Sequence, residues 1–168
     1  MTFSALNPEP ISIAAEVVDD RASGFSEFFE YEQQPMLRLA FLLLGSGPMA
    51  EDAVQEAYVK VYERWDSISR PGAFLRTCVV NECRTRHRRR LMALGKRHLL
   101  ADPASTSDHY AELADALAAL PHRRRAVVVL RHYLQLNTAE IAAQLGISEG
   151  TVKSSLHRGL QQLKEYLS

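Results

Sequence analysis

Residues 138–163, TAEIAAQLGISEGTVKSSLHRGLQQL, decide the fold. Asn137 followed three residues later by Glu140 has the shape of a capping box, so a helix is expected to start at Asn137 or Thr138 and to bury Ile141, Ala142 and Leu145. Gly146 ends it, because glycine takes the left-handed backbone of a tight corner without a Cβ clash. Ile147 then returns to the shared core. Ser148 caps a second helix, in which Val152, Leu156, Leu160 and Leu163 recur at helical spacing and are expected to be buried. Lys153, Ser154, His157 and Arg158 fall together on its other side. Two helices meeting at such a corner, with one basic face left free, make a helix-turn-helix. The free face suits a major groove, since Lys and Arg reach phosphates or guanine edges and a small Ser allows close approach. An ordinary helical hairpin would need the corner glycine, both caps and the basic face to coincide by chance.

The chain has 168 residues, enough for one or two small domains, and 46% hydrophobic residues supply real cores. The longest apolar run, Leu39 to Leu44, is far too short for a bilayer and is broken by Gly45. The first 20 residues lack the basic and apolar regions of a signal peptide. A cytoplasmic protein with no membrane partner is expected. The formal net charge is +0, but it is a cancellation. Met1 to Asp66 holds 4 basic and 12 acidic residues, net −8; Ser67 to Ala101 holds 9 and 1, net +8; Asp102 to Ser168 holds 7 and 7. An acidic front before a basic middle suggests two different partners, one basic and one a polyanion. Cys78 and Cys83 are five residues apart in one expected helix, roughly 8 to 9 Å between Cα atoms, beyond disulfide reach. With His87 they lack a fourth metal ligand, so they read as buried small side chains.

Met1 to Ser23 has weak periodicity and is expected to be a mobile leader. Phe28, Phe29, Leu37, Ala40, Phe41 and Leu44 recur at helical intervals, with Pro35 allowing a break, and Gly45 to Pro48 is a turn. The next helix runs to about Trp65 on Val54, Ala57, Tyr58, Val61 and Tyr62. Its other side carries Asp52, Gln55, Glu56 and Lys60; Asp52 and Glu56, like charges at i and i+4, are mildly unfavourable in an isolated helix and would be explained by a basic partner. After a turn at Ser67 to Gly72, a third helix packs on Phe74, Leu75, Cys78 and Val79. It ends in five arginines within seven residues, Arg84, Arg86, Arg88, Arg89 and Arg90, a cluster suited to a phosphate backbone. Residues 91–108, LMALGKRHLLADPASTSD, read as a linker with a basic start at Lys96 and Arg97. Leu113, Leu117 and Leu120 mark a further helix, and Val127, Val128, Leu130, Tyr133 and Leu134 the one that packs beneath the helix-turn-helix.

The SEGTVKSSLHRGL run resembles region 4 of bacterial sigma factors, and most of all the extracytoplasmic-function (ECF) group of the sigma-70 family, with Ser155 where that family usually has Arg. AEDAVQEAYVKVYERW at 50–65 is similar to the AED.VQE pattern of region 2, whose acidic side binds the clamp coiled coil of the RNA polymerase largest subunit. AFLRTCVVNECRTRHRRR at 73–90 resembles the family's P..WL.rIa.N...d..Rr stretch, which reads the −10 element; Asn81 matches its asparagine and Phe74 replaces its tryptophan. LPHRRRAVVVLRHY at 120–133 resembles its LP.r.R.v..L.y segment. The blocks stand in the family's order and look most like its actinobacterial SigE-like group.

The resemblance implies an all-α chain of two small helical domains joined by a flexible linker: leader 1–23, sigma region 2 at 24–90, linker 91–108 and sigma region 4 at 109–168. It implies core polymerase binding by Asp52, Gln55 and Glu56, −10 DNA binding by Arg70, Asn81, Arg84 and Arg88 with the Ser67 to Gly72 loop, and −35 DNA binding by Thr151, Lys153, Ser154, His157 and Arg158. It implies a linker that threads near the polymerase active-site and RNA-exit path. Core RNA polymerase and promoter DNA are the expected partners; an anti-sigma factor is a partner the sequence leaves open. No catalytic residue, cofactor or metal is expected, since no nucleophile–base pair, metal cluster or phosphate-binding glycine loop stands out. The rivals are a free-standing helix-turn-helix regulator, as in response-regulator output domains, and an RNA-binding adaptor using the arginine run.

Overall fold

A computed structural model describes residues 13–94 and 108–168. Lys96 and Arg97, and the leader up to residue 12, lie outside the described residues. The described residues form seven α-helices and one short 3-10 turn, with no strand.

Helix α1 (Ile13–Leu44) ends where Gly45 takes φ +66° and its N–H returns to Phe41 O at 2.8 Å. Ser46 then caps α2 (Gly47–Glu63), accepting from Met49 N–H, with Pro48 in the first turn. A 3-10 turn at Trp65–Ser67 leads to α3 (Pro71–Leu94). These helices share a core of Leu39, Leu43, Val61, Leu75, Val79 and Cys83, and the expectation of two buried thiols holds. Helix α1 starts at Ile13, inside the stretch expected as leader. Arg21 fastens that end: it pairs with Asp66 at 3.0 Å, donates to Tyr62 O at 3.1 Å and lies over the Tyr62 ring. Behind it Phe25, Phe28, Tyr58 and Trp65 meet in edge-on and tilted pairs, the geometry their ring quadrupoles favour. Helix α1 passes through Pro35 unbroken, and beside it Tyr133 OH donates to Pro35 O at 3.0 Å.

Helices α4 (Asp108–Ala118), α5 (His122–His132), α6 (Thr138–Leu145) and α7 (Glu149–Tyr166) build the second half. The capping box is present, Asn137 Oδ1 accepting from Glu140 N–H at 2.9 Å and Glu140 Oε2 from Asn137 N–H at 2.7 Å. Gly146 has φ +64°, and Ser148 caps α7. The seam of α7 differs from the expected leucine stripe: Val152, Ser155, Gly159 and Leu163 are buried, Leu156 is half-buried and Leu160 is exposed. The cause is Gly159. A Cβ there would stand 2.9 Å from Val128 Cγ2, so its absence lets α5 press against α7 and rotates the seam onto the two small residues. Leu113, expected inward, is likewise exposed, while Ala114, Ala116, Leu117 and Leu120 are buried.

The two halves are packed together. Arg125, itself buried, donates to Leu43 O at 3.2 Å and to Ala118 O at 2.8 Å, so one cation closes the carbonyl ends of α1 and α4. Met36 to Leu44 and Leu117 to Leu130 belong to one continuous core.

Candidate nucleic-acid interface

Three polar surfaces stand on three helices. On α2, Asp52, Gln55 and Glu56 are exposed beside the buried Ala53, Val54 and Ala57, as the helical period requires. Lys60, expected with them, instead pairs with Glu82 of α3, which holds its ammonium above the usual range through that hydrogen bond.

The arginine run of α3 divides by face. Arg86 turns to α2, donating to Asp52 O at 3.3 Å, and Arg90 reaches Met49 Sδ at 3.4 Å. Arg84, Arg88 and Arg89 remain exposed. Thr77, Asn81, Arg84 and Arg88 follow at i, i+4, i+7 and i+11, which places three of the four expected −10 residues on one face. Arg70, the fourth, is exposed just before the helix. It lines an open cleft of about 440 Å³ with Arg64, Ser67, Ser69 and Phe74, where the Arg64 guanidinium lies 5.9 Å from the Phe74 ring centroid. That cleft combines an aromatic surface with cations and hydroxyls, the chemistry that holds an unstacked base.

On α7, Lys153, Ser154, His157 and Arg158 are exposed and none takes part in an ion pair among the described residues. Thr151 is half-buried and shares a hydrogen bond of 2.8 Å with Ser148 Oγ. Ser154 Oγ donates to Thr151 O at 3.1 Å, leaving its lone pairs for an outside donor. Ser155, the departure from the family pattern, points inward and is buried.

Sequence reasoning missed the groups that join the halves. Gln144 of α6 reaches both Thr77 Oγ1 and Asn81 Oδ1 at 3.4 Å, and Arg84 donates to Leu145 O at 3.2 Å. His87 of α3 stacks on His122 of α5 with centroids 3.7 Å apart. Burial, then His87, Arg125 and Arg84, lowers His122 to about 3; burial, then Arg125 and Arg90, also lowers His87. No local pattern announces these pairs, because their members are 35 to 67 residues apart.

Comparison with known proteins identifies the arrangement. "Sigma-70 region 2" matches residues 28–93 and "Sigma-70, region 4" matches residues 110–163. An "RNA polymerase sigma-E factor" of Streptomyces avermitilis is 40% identical over 151 residues, covering 85% of this chain and 84% of that protein. The chain belongs to the sigma-70 family of RNA polymerase sigma factors. The "ECF RNA polymerase sigma factor SigE" of Mycolicibacterium smegmatis is 33% identical over 178 residues, covering 95% of this chain and 69% of that one. Among solved structures, the sigma factor RpoE of Bartonella quintana, in complex with the anti-sigma factor NepR, superposes with a TM-score of 0.69 at 25% identity, over 84% of this chain and 96% of that one. This sigma factor is therefore a protein of transcription initiation, and two sigma-70 regions in one chain disfavour a free-standing helix-turn-helix regulator. No helix among its described residues is long and apolar enough to cross a membrane.

Proposed function

We propose that this sigma factor docks on core RNA polymerase through Asp52, Gln55 and Glu56, sets Thr151, Lys153, Ser154, His157 and Arg158 on the −35 element, and captures the opened −10 strand with Arg70, Asn81, Arg84 and Arg88. It acts in the cytoplasm, without chemistry of its own. Residues 24–90 serve as the docking and −10 domain, residues 91–108 as the linker and residues 109–168 as the −35 domain, with 1–23 preceding them. An anti-sigma factor fits the same reading, since the Bartonella relative was solved with one. The observation that carries the proposal is the sorting of α3: its two inward arginines face α2, and its outward groups share one face with Asn81.

The −35 assignment is tested on Arg158. Arg158→Ala should weaken binding to a matched −35 duplex by about 1 to 3 kcal/mol if the guanidinium grips a base edge, with a smaller loss on a duplex mutated at that base. Titration of both duplexes reads this, and no loss on either would assign α7 the wrong face.

The −10 assignment is tested on Asn81, whose amide offers both a donor and an acceptor to the edge of an unstacked base. Asn81 is exposed, so Asn81→Ala should leave the melting temperature, core binding and −35 binding near wild type. Permanganate reactivity of the −10 region should fall several-fold, because separating the strands costs a few kcal/mol that new contacts must offset. Normal opening by the variant rules Asn81 out.

A further inference from the structure

One contact between the halves can titrate near neutral pH. His87 of α3 stacks on His122 of α5, with ring planes 12° from parallel and centroids 3.7 Å apart. His122 Nδ1 is buried and has no hydrogen-bond partner among the described residues. A neutral imidazole tolerates that, because one of its nitrogens carries no proton. An imidazolium does not, because both nitrogens then donate and one would be left buried without an acceptor. The charges acting on the two rings, among the described residues, are Arg84 and Arg90 from α3 and Arg125 from α5, and no carboxylate acts on either. Two of these cations are held in place, Arg125 on Leu43 O and Ala118 O and Arg84 on Leu145 O. A proton on either ring therefore meets fixed positive charge with no counter-charge beside it. The other polar contacts across the joint, Tyr133 OH on Pro35 O and Gln144 on Thr77 and Asn81, join groups that do not ionise near neutrality.

We propose that the His87–His122 stack is an acid-sensitive joint: it holds the two halves together while both rings are neutral and lets them part as acid protonates the rings. The inference concerns the joint itself and depends on neither the −10 nor the −35 reading. Burial and then the neighbouring groups lower both rings in the packed chain, His122 to about 3, whereas a ring exposed by parting titrates near its ordinary 6.5. The union is therefore at full strength above about pH 6.5 and weakens as pH falls from there towards 3, because only the parted form takes up the proton. Between pH 7.5 and 5.5, His122 alone multiplies the ratio of parted to packed chains by about tenfold, and His87 adds to that.

The full chain tests this with a donor and an acceptor dye on Glu63→Cys and Lys164→Cys, exposed positions on α2 and α7. Cys78 is buried, and burial pushes the Cys83 thiol up to about 12, so both native thiols compete poorly for the dyes. Parting is followed as loss of energy transfer in rising urea, while emission from Trp65, the one tryptophan, reports separately whether the first half is still folded. Extrapolated to water, the ratio of parted to packed chains should rise by about tenfold or more from pH 7.5 to 5.5. His87→Phe with His122→Phe keeps two rings at the joint and removes their titration, so its ratio should change by less than about twofold. Where the larger rings fail to pack at pH 7.5, His122→Gln alone, neutral and smaller, should cut the wild-type response by about tenfold. An unchanged ratio in the wild-type chain, or a rise of the same size in the variants, overturns the joint. So does energy transfer that is lost only together with the Trp65 signal at both pH values, since the halves would then not part as folded units.

Discussion

Asp52→Lys combined with Glu56→Lys should weaken binding to core RNA polymerase by at least about a hundredfold, since each reversal turns an attraction into a repulsion and close interfacial charge pairs couple by roughly 1.5 to 7 kcal/mol. The fold gives the substitution little else to damage. Both side chains are exposed, and Asp52 holds only a 4.0 Å pairing with Arg86, whose stronger contact goes to the Asp52 main-chain carbonyl and survives the change. Two lysines at i and i+4 repel as two carboxylates do, and the attraction of Glu56 for Lys60 one turn on is lost, at a cost of a few tenths of a kcal/mol that exposure keeps small. Melting temperature and −35 duplex affinity should therefore stay near wild type while core binding is lost. Unchanged affinity for core would remove the acidic face of α2 as the docking surface.

The largest effect on stability is expected at Arg125. Its guanidinium is buried, and although burial and Arg90 lower its pKa to about 10, it remains charged at neutral pH. It serves the carbonyls of Leu43, Ala118 and Leu120. Arg125→Met keeps the length of the side chain and leaves those helix-end carbonyls without a donor, which should cost about 3 kcal/mol after the relief of desolvating the cation. In a chain of this size that is a fall of roughly 6 to 12 °C in melting temperature. Thermal denaturation followed at 222 nm measures it, and a fall below about 2 °C would show that water replaces the guanidinium.

What the sequence disclosed follows from the range over which each feature is determined. The capping box at Asn137 and Glu140, the corner at Gly146 and the cap at Ser148 are set within a few residues, and each stands where expected. The acidic face of α2 and the pairing of Asn81 with Arg84 and Arg88 follow from the helical period alone. The face that α7 buries did not, because it depends on which neighbour comes closest: the period favoured Leu156 and Leu160, but Gly159 beside Val128 let α5 approach on a different line. The early start of α1 was hidden for a similar reason. Arg21 finds Asp66 and Tyr62 some 41 to 45 residues away, and nothing in the acidic leader signals that contact. Most remote of all was the union of the halves through Arg125, His122 and Gln144, whose partners lie 35 to 82 residues distant.

In vitro transcription tests most directly whether the chain confers promoter specificity. Bacterial core polymerase would be supplied with genomic fragments of the host, with and without the full-length protein, and start sites mapped alongside permanganate reactivity. Discrete start sites that appear only with the protein, each with permanganate-reactive thymines upstream and a common element about 35 base pairs before the start, are the predicted result. Sequence-specific binding to those fragments by the protein alone, with no start site and no strand opening when polymerase is present, would contradict it.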